Sequence, residues 1–276
     1  MEQCLHSYFI ANGDVKSTCD FIPTHFEAEG YVYEVIRVIG GFPAFLNEHL
    51  ERLSTSCELS GIKLPVKIDT IRQQISVLIN INKILDGNIK LMVSSKQTAL
   101  PFYFAIWFIP VFYPASHLYK TGVRVALLEM ERNTPQIKMH RPEYKNAIAE
   151  AFKLRDVYEL LLVHQNKITE GSKSNVFFIQ NGTVITAPDN LVLAGITRNK
   201  IIEICEKLFI PLQLKALDVE SIRSMEGAFL TGTSPKVLPV CEIFEQANFK
   251  PGNSVIQRII VAYDELHDQN RLNIES

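Results

Sequence analysis

The chain has 276 residues, of which 47% are hydrophobic and 21% are charged, and its formal net charge is −2. Because a typical domain has about 100–200 residues, this length favours two domains, or one large one, with a sizeable core. The composition excludes disordered and fibrous proteins. The small charge, without a cluster of lysines or arginines, argues against a nucleic-acid partner and against electrostatic attachment to a membrane.

The N-terminal part predicts a mixture of strands and helices. The stretches 7–10 and 31–38 are rich in β-branched and aromatic residues, which is typical of strands. Two helices follow, because apolar residues recur at spacings of three and four, and Asn47 is the expected N-cap of the first. Their apolar stripes are Leu46, Leu50, Leu53 and Cys57, and then Ile68, Ile71, Ile75 and Leu78. Two further strands are predicted at 89–93 and 102–112.

A turn-rich segment at 113–117 marks the expected domain boundary. We therefore predict two domains, over residues 1–115 and 116–276, and an α+β fold class. The elements expected in the second domain are strands at 123–128, 159–163, 176–180 and 183–186, and helices at 143–154, after Thr197 and at 254–266. Asn181-Gly182 predicts a two-residue turn between two of these strands, because both residues tolerate the positive φ that a type I′ turn requires.

The cysteines and the apolar segments favour a cytoplasmic protein. The five cysteines are scattered and include no Cys-x-x-Cys pair, which disfavours a disulfide framework and a zinc or other metal site. Cys57 and Cys205 occupy apolar helix positions, so we expect buried thiols in a reducing compartment. We also expect no secretory signal, because residues 1–10 lack a basic segment followed by an apolar one. The apolar stretch 100–113 is too short to span a bilayer and predicts a buried strand.

Three polar segments interrupt strand-like or helix-like regions and carry the strongest chemical signal. In 168–177, Glu170 and several small polar residues break a predicted strand. The segment 194–198 is a turn that leads into a helix, whose first N–H groups can bind an anion. The segment 229–235 ends another strand in hydroxyl-bearing and small residues. Two donor-rich turns of this kind suggest a phosphate that is bound from two sides.

These segments resemble the fold type IV pyridoxal-phosphate enzymes, which include branched-chain aminotransferases, D-amino-acid aminotransferases and 4-amino-4-deoxychorismate lyases. The resemblance spans most of the chain, and its motifs occur in the family's order. They are Val32-Tyr-Glu-Val35, Asn47-Glu-His-Leu-Glu-Arg52, Gln136-Ile-Lys138, Glu170-Gly-Ser172, Ser174-Asn-Val-Phe177, Gly195-Ile-Thr-Arg198 and Thr231-Gly-Thr233. The resemblance implies a two-domain fold with a smaller N-terminal α/β domain and a larger, β-barrel-like C-terminal domain. It also implies pyridoxal 5'-phosphate as the cofactor and a homodimer.

The resemblance assigns catalytic roles to a lysine and a carboxylate. In the family, the lysine of an Ile-Lys motif binds the cofactor covalently, and a strand carboxylate about thirty residues later contacts the pyridine nitrogen. Lys138 fits, because it lies 32 residues before Glu170, whereas the rival Lys145 lies 25 residues before it on a predicted helix. A lysine amine can also move the substrate's α proton, and the Glu170 carboxylate would keep the pyridine nitrogen protonated. A strand-edge salt bridge is the alternative role for Glu170.

Cofactor-binding and pocket residues follow from the same motifs. Arg52 resembles the family's phosphate-binding arginine, whose planar fork can bind two oxygens, although an exposed helix position is the alternative. The N–H groups of Ile196 and Thr197 and the Thr233 hydroxyl would add further donors. Tyr33 matches a tyrosine that lines the site in the D-amino-acid branch, or else packs in the core. Besides these residues, the expected substrate pocket contains Gly232 and Ser234.

Three segments depart from the family's pattern, and one of them is Met139-His-Arg-Pro-Glu-Tyr144, which replaces the family's usual continuation after Lys138. Residues 23–30 lack the usual Asp-Arg-Gly and Gly-Asp-Gly arrangement, and the strand 90–96 lacks an arginine that often binds the substrate carboxylate. Lys90 or Lys96 could supply a point charge in its place. Three hypotheses stay open: an aminotransferase acting on an amino acid, branched-chain or otherwise apolar, and a 2-oxo acid; an aminodeoxychorismate lyase; and a non-catalytic relative. The shared cofactor chemistry cannot separate the first two.

Overall fold

The computed structural model describes residues 2–26, 30–95 and 103–275. The chain forms two compact units. The first contains residues 1–112, 137–142 and 268–276, and the second contains residues 113–136 and 143–267. Each unit combines helices with one large sheet, in agreement with the predicted α+β class.

The first unit is built on a six-stranded antiparallel sheet with the order β2-β1-β6-β5-β3-β4. Its elements are β1 (Leu5–Ala11), β2 (Asp14–Ser17), β3 (Tyr31–Ile39), β4 (Phe42–Pro43), α1 (Leu46–Leu59), α2 (Ile68–Asn82), β5 (Gly87–Ser94) and β6 (Phe104–Ile109). The central strand β5 is buried along its whole length. Both faces of the sheet are therefore covered at its centre.

Helices α1 and α2 cover one face of this sheet with the predicted apolar stripes. Leu50, Leu53 and Ile75 are almost fully buried and share one core with the sheet residues Ile36 and Leu91. Burial of such side chains stabilises the fold by about 1.5–3 kcal/mol each, which explains why the spacing of apolar residues predicts these helices.

The predicted N-cap of the first helix is wrong. Helix α1 begins at Leu46, and Phe45, in the left-handed conformation with a φ of 51°, takes the N-cap position without a side-chain hydrogen bond. Asn47 lies inside the first turn, and its Oδ1 accepts a hydrogen bond from Arg72 Nη1 of α2 at 2.7 Å. The asparagine side chain thus joins two helices, a contact that local sequence cannot reveal.

The opposite face of the sheet is aromatic. Phe9, Tyr31 and Trp107 are fully buried there and pack with Phe26 from a short 3-10 turn. Lys90 of β5 lies on this face as well, with its Nζ 5.4 Å from the centroid of the Trp107 ring. This face therefore places a buried lysine among aromatic rings.

The second unit contains a ten-stranded mixed sheet with the order β12-β11-β10-β14-β15-β7-β8-β9-β13 and with β16 paired to β15. Its elements are α3 (Leu118–Thr121), β7 (Val123–Glu129), α4 (Pro142–Lys153), β8 (Glu159–His164), β9 (Lys167–Gly171), β10 (Asn175–Gln180), β11 (Thr183–Thr186), α5 (Ile196–Lys207), β12 (Leu212–Leu214), β13 (Leu217–Asp218), β14 (Gly227–Gly232), β15 (Lys236–Ile243), β16 (Ala247–Asn248) and α6 (Ser254–Glu275). The first residue of α4, Pro142, and the end of α6 from Asp268 onward belong to the first unit. The pairs β7–β8, β7–β15 and β11–β12 are parallel, and the other pairs are antiparallel.

The second unit contains the predicted Asn181-Gly182 hairpin and the predicted last helix. The turn Asn181-Gly182 has φ values of 49° and 71° and joins the paired residues Gln180 and Thr183, which confirms the predicted two-residue hairpin. The last helix is longer than expected, because α6 continues to Glu275.

The expectation that Cys57 and Cys205 are buried is confirmed. Cys57 and Cys205 are buried on α1 and α5, and burial raises their pKa values to about 12 and about 11. All five cysteines are free thiols. Among the residues that the structure describes, no helix is long and apolar enough to cross a membrane.

Candidate active site

In the first unit, Lys138 lies beside strand β3. The Tyr33 N–H donates to the Lys138 carbonyl at 3.0 Å, and the His140 N–H donates to the Tyr31 carbonyl at 2.9 Å. The Lys138 N–H donates to Ser56 Oγ of α1 at 3.3 Å. These main-chain bonds fix the lysine, and its Nζ lies 5.0 Å from the centroid of the Tyr33 ring. The fold thus brings together two predicted site residues that are far apart in sequence.

A second lysine approaches the same tyrosine. Lys90 Nζ lies 5.1 Å from the Tyr33 ring centroid, donates to Tyr31 Oη at 3.2 Å and forms an ion pair with Glu2 at 2.8 Å. Lys90 is 5% exposed, so its charge is held inside the aromatic face by these contacts. Lys96, the other expected point charge, lies outside the described residues.

Arg52 lies in a buried ionic cluster with Glu34 and His49. Its Nε donates to Glu34 Oε1 at 2.8 Å and its Nη2 to Glu34 Oε2 at 2.6 Å, while His49 Nδ1 lies 2.7 Å from Glu34 Oε2. Burial raises the pKa of Glu34, but the charge and hydrogen bonds of Arg52, with smaller effects from His49, outweigh it and lower the pKa from 4.5 to about 2. Burial lowers the pKa of His49, and the charges of Arg52 and Lys138 lower it further, against the opposing effect of Glu34. A neutral imidazole beside the Glu34 carboxylate would donate from Nδ1.

Sequence reasoning missed Glu34 in this cluster. Strand residues alternate between faces, and Glu34 shares its face with the buried Val32, Ile36 and Val38. A carboxylate within an apolar period-two pattern was the available signal, since a buried charge requires a partner. Its partners in the structure are His49 and Arg52 of the Asn47–Arg52 motif.

In the second unit, Glu170 is the penultimate residue of strand β9 and is 1% exposed. Its Oε2 accepts the Leu193 N–H at 3.1 Å, and its Oε1 accepts from Arg132 Nη1 at 3.3 Å. The Arg132 guanidinium also lies 5.7 Å from the centroid of the Tyr144 ring. Sequence reasoning did not identify Arg132, because no local pattern separates it from other arginines.

The turn after Glu170 is folded around a second buried carboxylate, Glu159 of β8. Glu159 accepts hydrogen bonds from the hydroxyls of Ser172 and Ser174, the latter at 3.1 Å, and from the Lys173 N–H at 3.3 Å. A Cβ on Gly171 would lie 2.1 Å from Ser174 Oγ, so only glycine fits this turn. The small polar residues that interrupt the strand pattern therefore serve to enclose a carboxylate.

Helix α5 begins close to Glu170. Gly195 is its N-cap without a side-chain hydrogen bond, and Ile196 and Thr197 follow as buried residues of the first turn. The first N–H groups of a helix lack partners within the helix and favour an anion. The Thr197 hydroxyl lies 3.4 Å from Tyr263 Oη of α6.

The segment after β14 carries the remaining predicted residues. Gly232, Thr233 and Ser234 are half-buried and join β14 to β15. The preceding residue, Thr231, is 1% exposed, and its Oγ1 is buried without a hydrogen-bond partner. A buried hydroxyl in this state costs free energy unless it meets a ligand, so Thr231 is a candidate ligand-binding residue beside the predicted ones.

Comparison with known proteins places the chain in a family. The family model "Amino-transferase class IV" matches residues 31–243. The chain belongs to the class IV aminotransferases. Members of this family are pyridoxal-phosphate-dependent aminotransferases, and pyridoxal phosphate is the cofactor of this chain.

Curated relatives of this class IV aminotransferase carry two names. A probable branched-chain-amino-acid aminotransferase of Rickettsia typhi is 31% identical over 226 residues, which cover 78% of either chain. A D-alanine aminotransferase of Bacillus licheniformis is 27% identical over 221 residues, covering 77% of this chain and 78% of the relative.

Solved structures show the same fold. The branched-chain amino acid aminotransferase of Escherichia coli has a TM-score of 0.83 at 20% identity and covers 95% of each chain. The branched-chain aminotransferase of Thermoproteus uzoniensis has a TM-score of 0.81 at 24% identity and covers 94% of each chain. The expected α+β class with the fold type IV architecture is thus confirmed.

The residues of this aminotransferase suit the chemistry of its cofactor. Pyridoxal phosphate has a phosphate, which suits the N-terminal amides of α5, and a basic ring nitrogen, which suits a buried carboxylate such as Glu170. The Thr231 hydroxyl, which is buried without a hydrogen-bond partner, also suits the phosphate, because it lies in the segment 229–235 that is predicted to bind one.

Proposed function

We propose that the chain transfers an amino group between an apolar amino acid, branched-chain ones included, and a 2-oxo acid, and that Lys138 holds the cofactor. The placement of Lys138 supports this proposal, because main-chain bonds to β3 and Ser56 fix it with its ammonium beside Tyr33. When bound, the cofactor supplies an electron-accepting ring that stabilises negative charge at the substrate Cα.

Each proposed residue has one task. Lys138 holds the cofactor through its amine and, once released by the substrate, moves the proton at the substrate Cα. Glu170 keeps the ring nitrogen protonated through its negative charge. Tyr33 lines the substrate pocket beside Lys138, and Gly232 and Ser234 line it beside the β14–β15 connection.

Phosphate binding involves donors of three kinds. Ile196 and Thr197 offer the N–H groups at the start of α5, and Thr233 offers a hydroxyl. Arg52 adds a positive charge. Its Nε and Nη2 donate to Glu34, and this pair fixes the position of the guanidinium.

The names of the relatives support an apolar substrate. Branched-chain amino acids and D-alanine are both apolar. Because D-alanine has the D configuration, the first assay should include amino donors of both chiralities. We also propose that the enzyme is a cytoplasmic homodimer. Its five free thiols suit a reducing compartment, and light scattering of the purified protein tests the dimer.

Borohydride reduction followed by peptide mapping tests the role of Lys138. We expect the reduced cofactor on Lys138 and complete loss of attachment in Lys138→Ala. Lys145→Ala is the matched control, because Lys145 lies nearby in the sequence on α4 and is exposed. Attachment to Lys145 would contradict the proposal.

A half-reaction tests the reaction type. We expect an apolar amino donor alone to remove the visible absorption band of the enzyme and a 2-oxo acid to restore it. Release of pyruvate and 4-aminobenzoate from aminodeoxychorismate, without a response to any amino acid, would instead identify a lyase. Bound cofactor without either reaction would identify a non-catalytic relative.

A further inference from the structure

The main chain of Leu193 is held from both sides. Its N–H donates to Glu170 Oε2 at 3.1 Å, and its carbonyl accepts from Asn175 Nδ2 at 2.9 Å. Leu193, Glu170 and Asn175 are all at most 7% exposed. Both bonds are therefore shielded from water, and the loss of either would leave a buried polar group without its partner.

The residue that starts α5 also contacts Asn175. A Cβ built on Gly195 would lie 2.2 Å from Asn175 Oδ1. The backbone of Gly195 does not itself demand glycine, because its φ of −65° and ψ of 137° are accessible to any residue. The absence of a side chain at position 195 is thus explained by the asparagine beside it.

Asn175 is placed on a well-supported element. It begins β10, where it pairs with Thr231 of β14, and β10 lies between β11 and β14 in the sheet. The segment 187–195 has no strand partner and contains one short 3-10 turn at Asp189–Leu191. The contacts of Asn175 therefore tie an irregular segment to a central strand.

We infer that Asn175 is a positioning residue that fixes the Glu170 carboxylate and the N-terminus of α5 relative to each other through the main chain of 193–195. This inference rests on the proposed roles of Glu170 and α5 in binding the cofactor. It also explains the glycine of the Gly195–Arg198 motif, which leaves room for the asparagine amide. Asn175 acts through its contacts with Leu193 and Gly195 and not by contacting the cofactor or the reacting atoms.

A double-mutant cycle between positions 175 and 195 tests the inference. In the otherwise unchanged protein, we expect Asn175→Ala and Gly195→Ala each to weaken cofactor affinity about tenfold. In the double variant the alanine at 175 leaves room for the new Cβ, so the second change should add less than about twofold. Thr186→Val is the matched control, because the Thr186 hydroxyl donates to the Val176 carbonyl at 2.8 Å from a buried site on the adjacent strand β11. The Thr186→Val change should alter cofactor affinity by less than about twofold.

Hydrogen exchange in the cofactor-free protein provides the second readout. Asn175→Ala should accelerate exchange in peptides covering 190–198, whereas Thr186→Val should leave these peptides unchanged. Asn175→Asp serves if the alanine variant does not fold. It removes the amide donor but keeps an oxygen near Gly195, so it should accelerate exchange without rescuing Gly195→Ala.

Two results would overturn the inference. One is an Asn175→Ala variant that matches Thr186→Val in affinity and exchange, and the other is additivity of the two alanine changes in the cycle. Failure of the proposed function is a distinct result, namely an unaltered protein that takes up no pyridoxal phosphate at Lys138. In that case the exchange measurements and an unfolding cycle on the cofactor-free protein still decide whether Asn175 positions the segment.

Discussion

Two buried glutamates, one in each unit, are held in different ways. Glu34 is fully buried and meets side-chain donors within 2.8 Å, from the guanidinium of Arg52 and the imidazole of His49. Glu170 is equally buried, but it meets a main-chain N–H at 3.1 Å and the guanidinium of Arg132 at 3.3 Å. The first carboxylate is held by short charge-assisted bonds from one helix, and the second by longer bonds from two irregular segments.

This difference suggests a division between stability and function. A buried carboxylate paired by a bidentate arginine is costly to disrupt, because removal of one partner leaves the other as a buried charge. The loop amide of Leu193 orients the Glu170 carboxylate, whose negative charge can then stabilise a neighbouring positive charge. We therefore expect changes around Glu34 to alter unfolding first, and changes at Glu170 to alter turnover first.

The largest expected effect is that of Arg52→Ala. Its loss leaves Glu34 buried without its main positive partner, which should cost about 3–5 kcal/mol of unfolding free energy and also weaken cofactor retention. Urea denaturation and cofactor titration measure the two effects. Arg72→Ala removes another helix arginine, which bonds to an asparagine rather than a carboxylate, and should cost far less. Equal losses in both variants would contradict the special status of the Glu34 cluster.

A smaller effect, and one on a different property, is expected for Glu170→Gln. Turnover should fall about 100-fold to 1,000-fold, because the neutral amide no longer stabilises a protonated ring nitrogen, while the cofactor content stays near its normal value. Steady-state kinetics and the absorbance of bound cofactor check this. Glu34→Gln is the counterpart, for which we expect loss of stability to exceed loss of turnover per bound cofactor. A Glu170→Gln variant that loses mainly stability, together with a Glu34→Gln variant that loses mainly turnover, would contradict the proposed division.

The smallest effect concerns the response to acid. The pKa of Glu34 falls from 4.5 to about 2 on folding, so its contribution is fully present above about pH 4.5 and is lost as the pH falls towards 2. This contribution is up to about 3 kcal/mol. Unfolding free energies measured across this window should decline less steeply in Glu34→Gln than in the unaltered protein.

His49 affects a higher pH range with the same sign. Its pKa is lowered from 6.5 in the folded state, so the unfolded state binds more protons and stability decreases as the pH falls below 6.5. A loss of stability between pH 6.5 and 4.5 that persists in His49→Gln would show that other groups cause it.

Features that depend on short-range patterns can be predicted from the sequence. The stripe from Leu46 to Cys57 predicted α1, and Asn181-Gly182 predicted its hairpin, because helix periodicity and turn geometry depend on residues a few positions apart. The resemblance to the family is also a property of the sequence, since its short motifs from Val32–Val35 to Thr231–Thr233 occur in the family's order.

Which buried groups become partners depends on the fold. Glu34 with Arg52, Arg132 with Glu170, and Asn175 with the segment at 193–195 are pairs whose members are 18 to 38 residues apart. Strand register and helix packing set these distances, and a carboxylate or an amide in the sequence does not carry that information. The roles of Glu34, Glu159 and Asn175 therefore escaped the sequence, because the hydrogen bonds of a buried polar group depend on which distant segments the fold brings next to it.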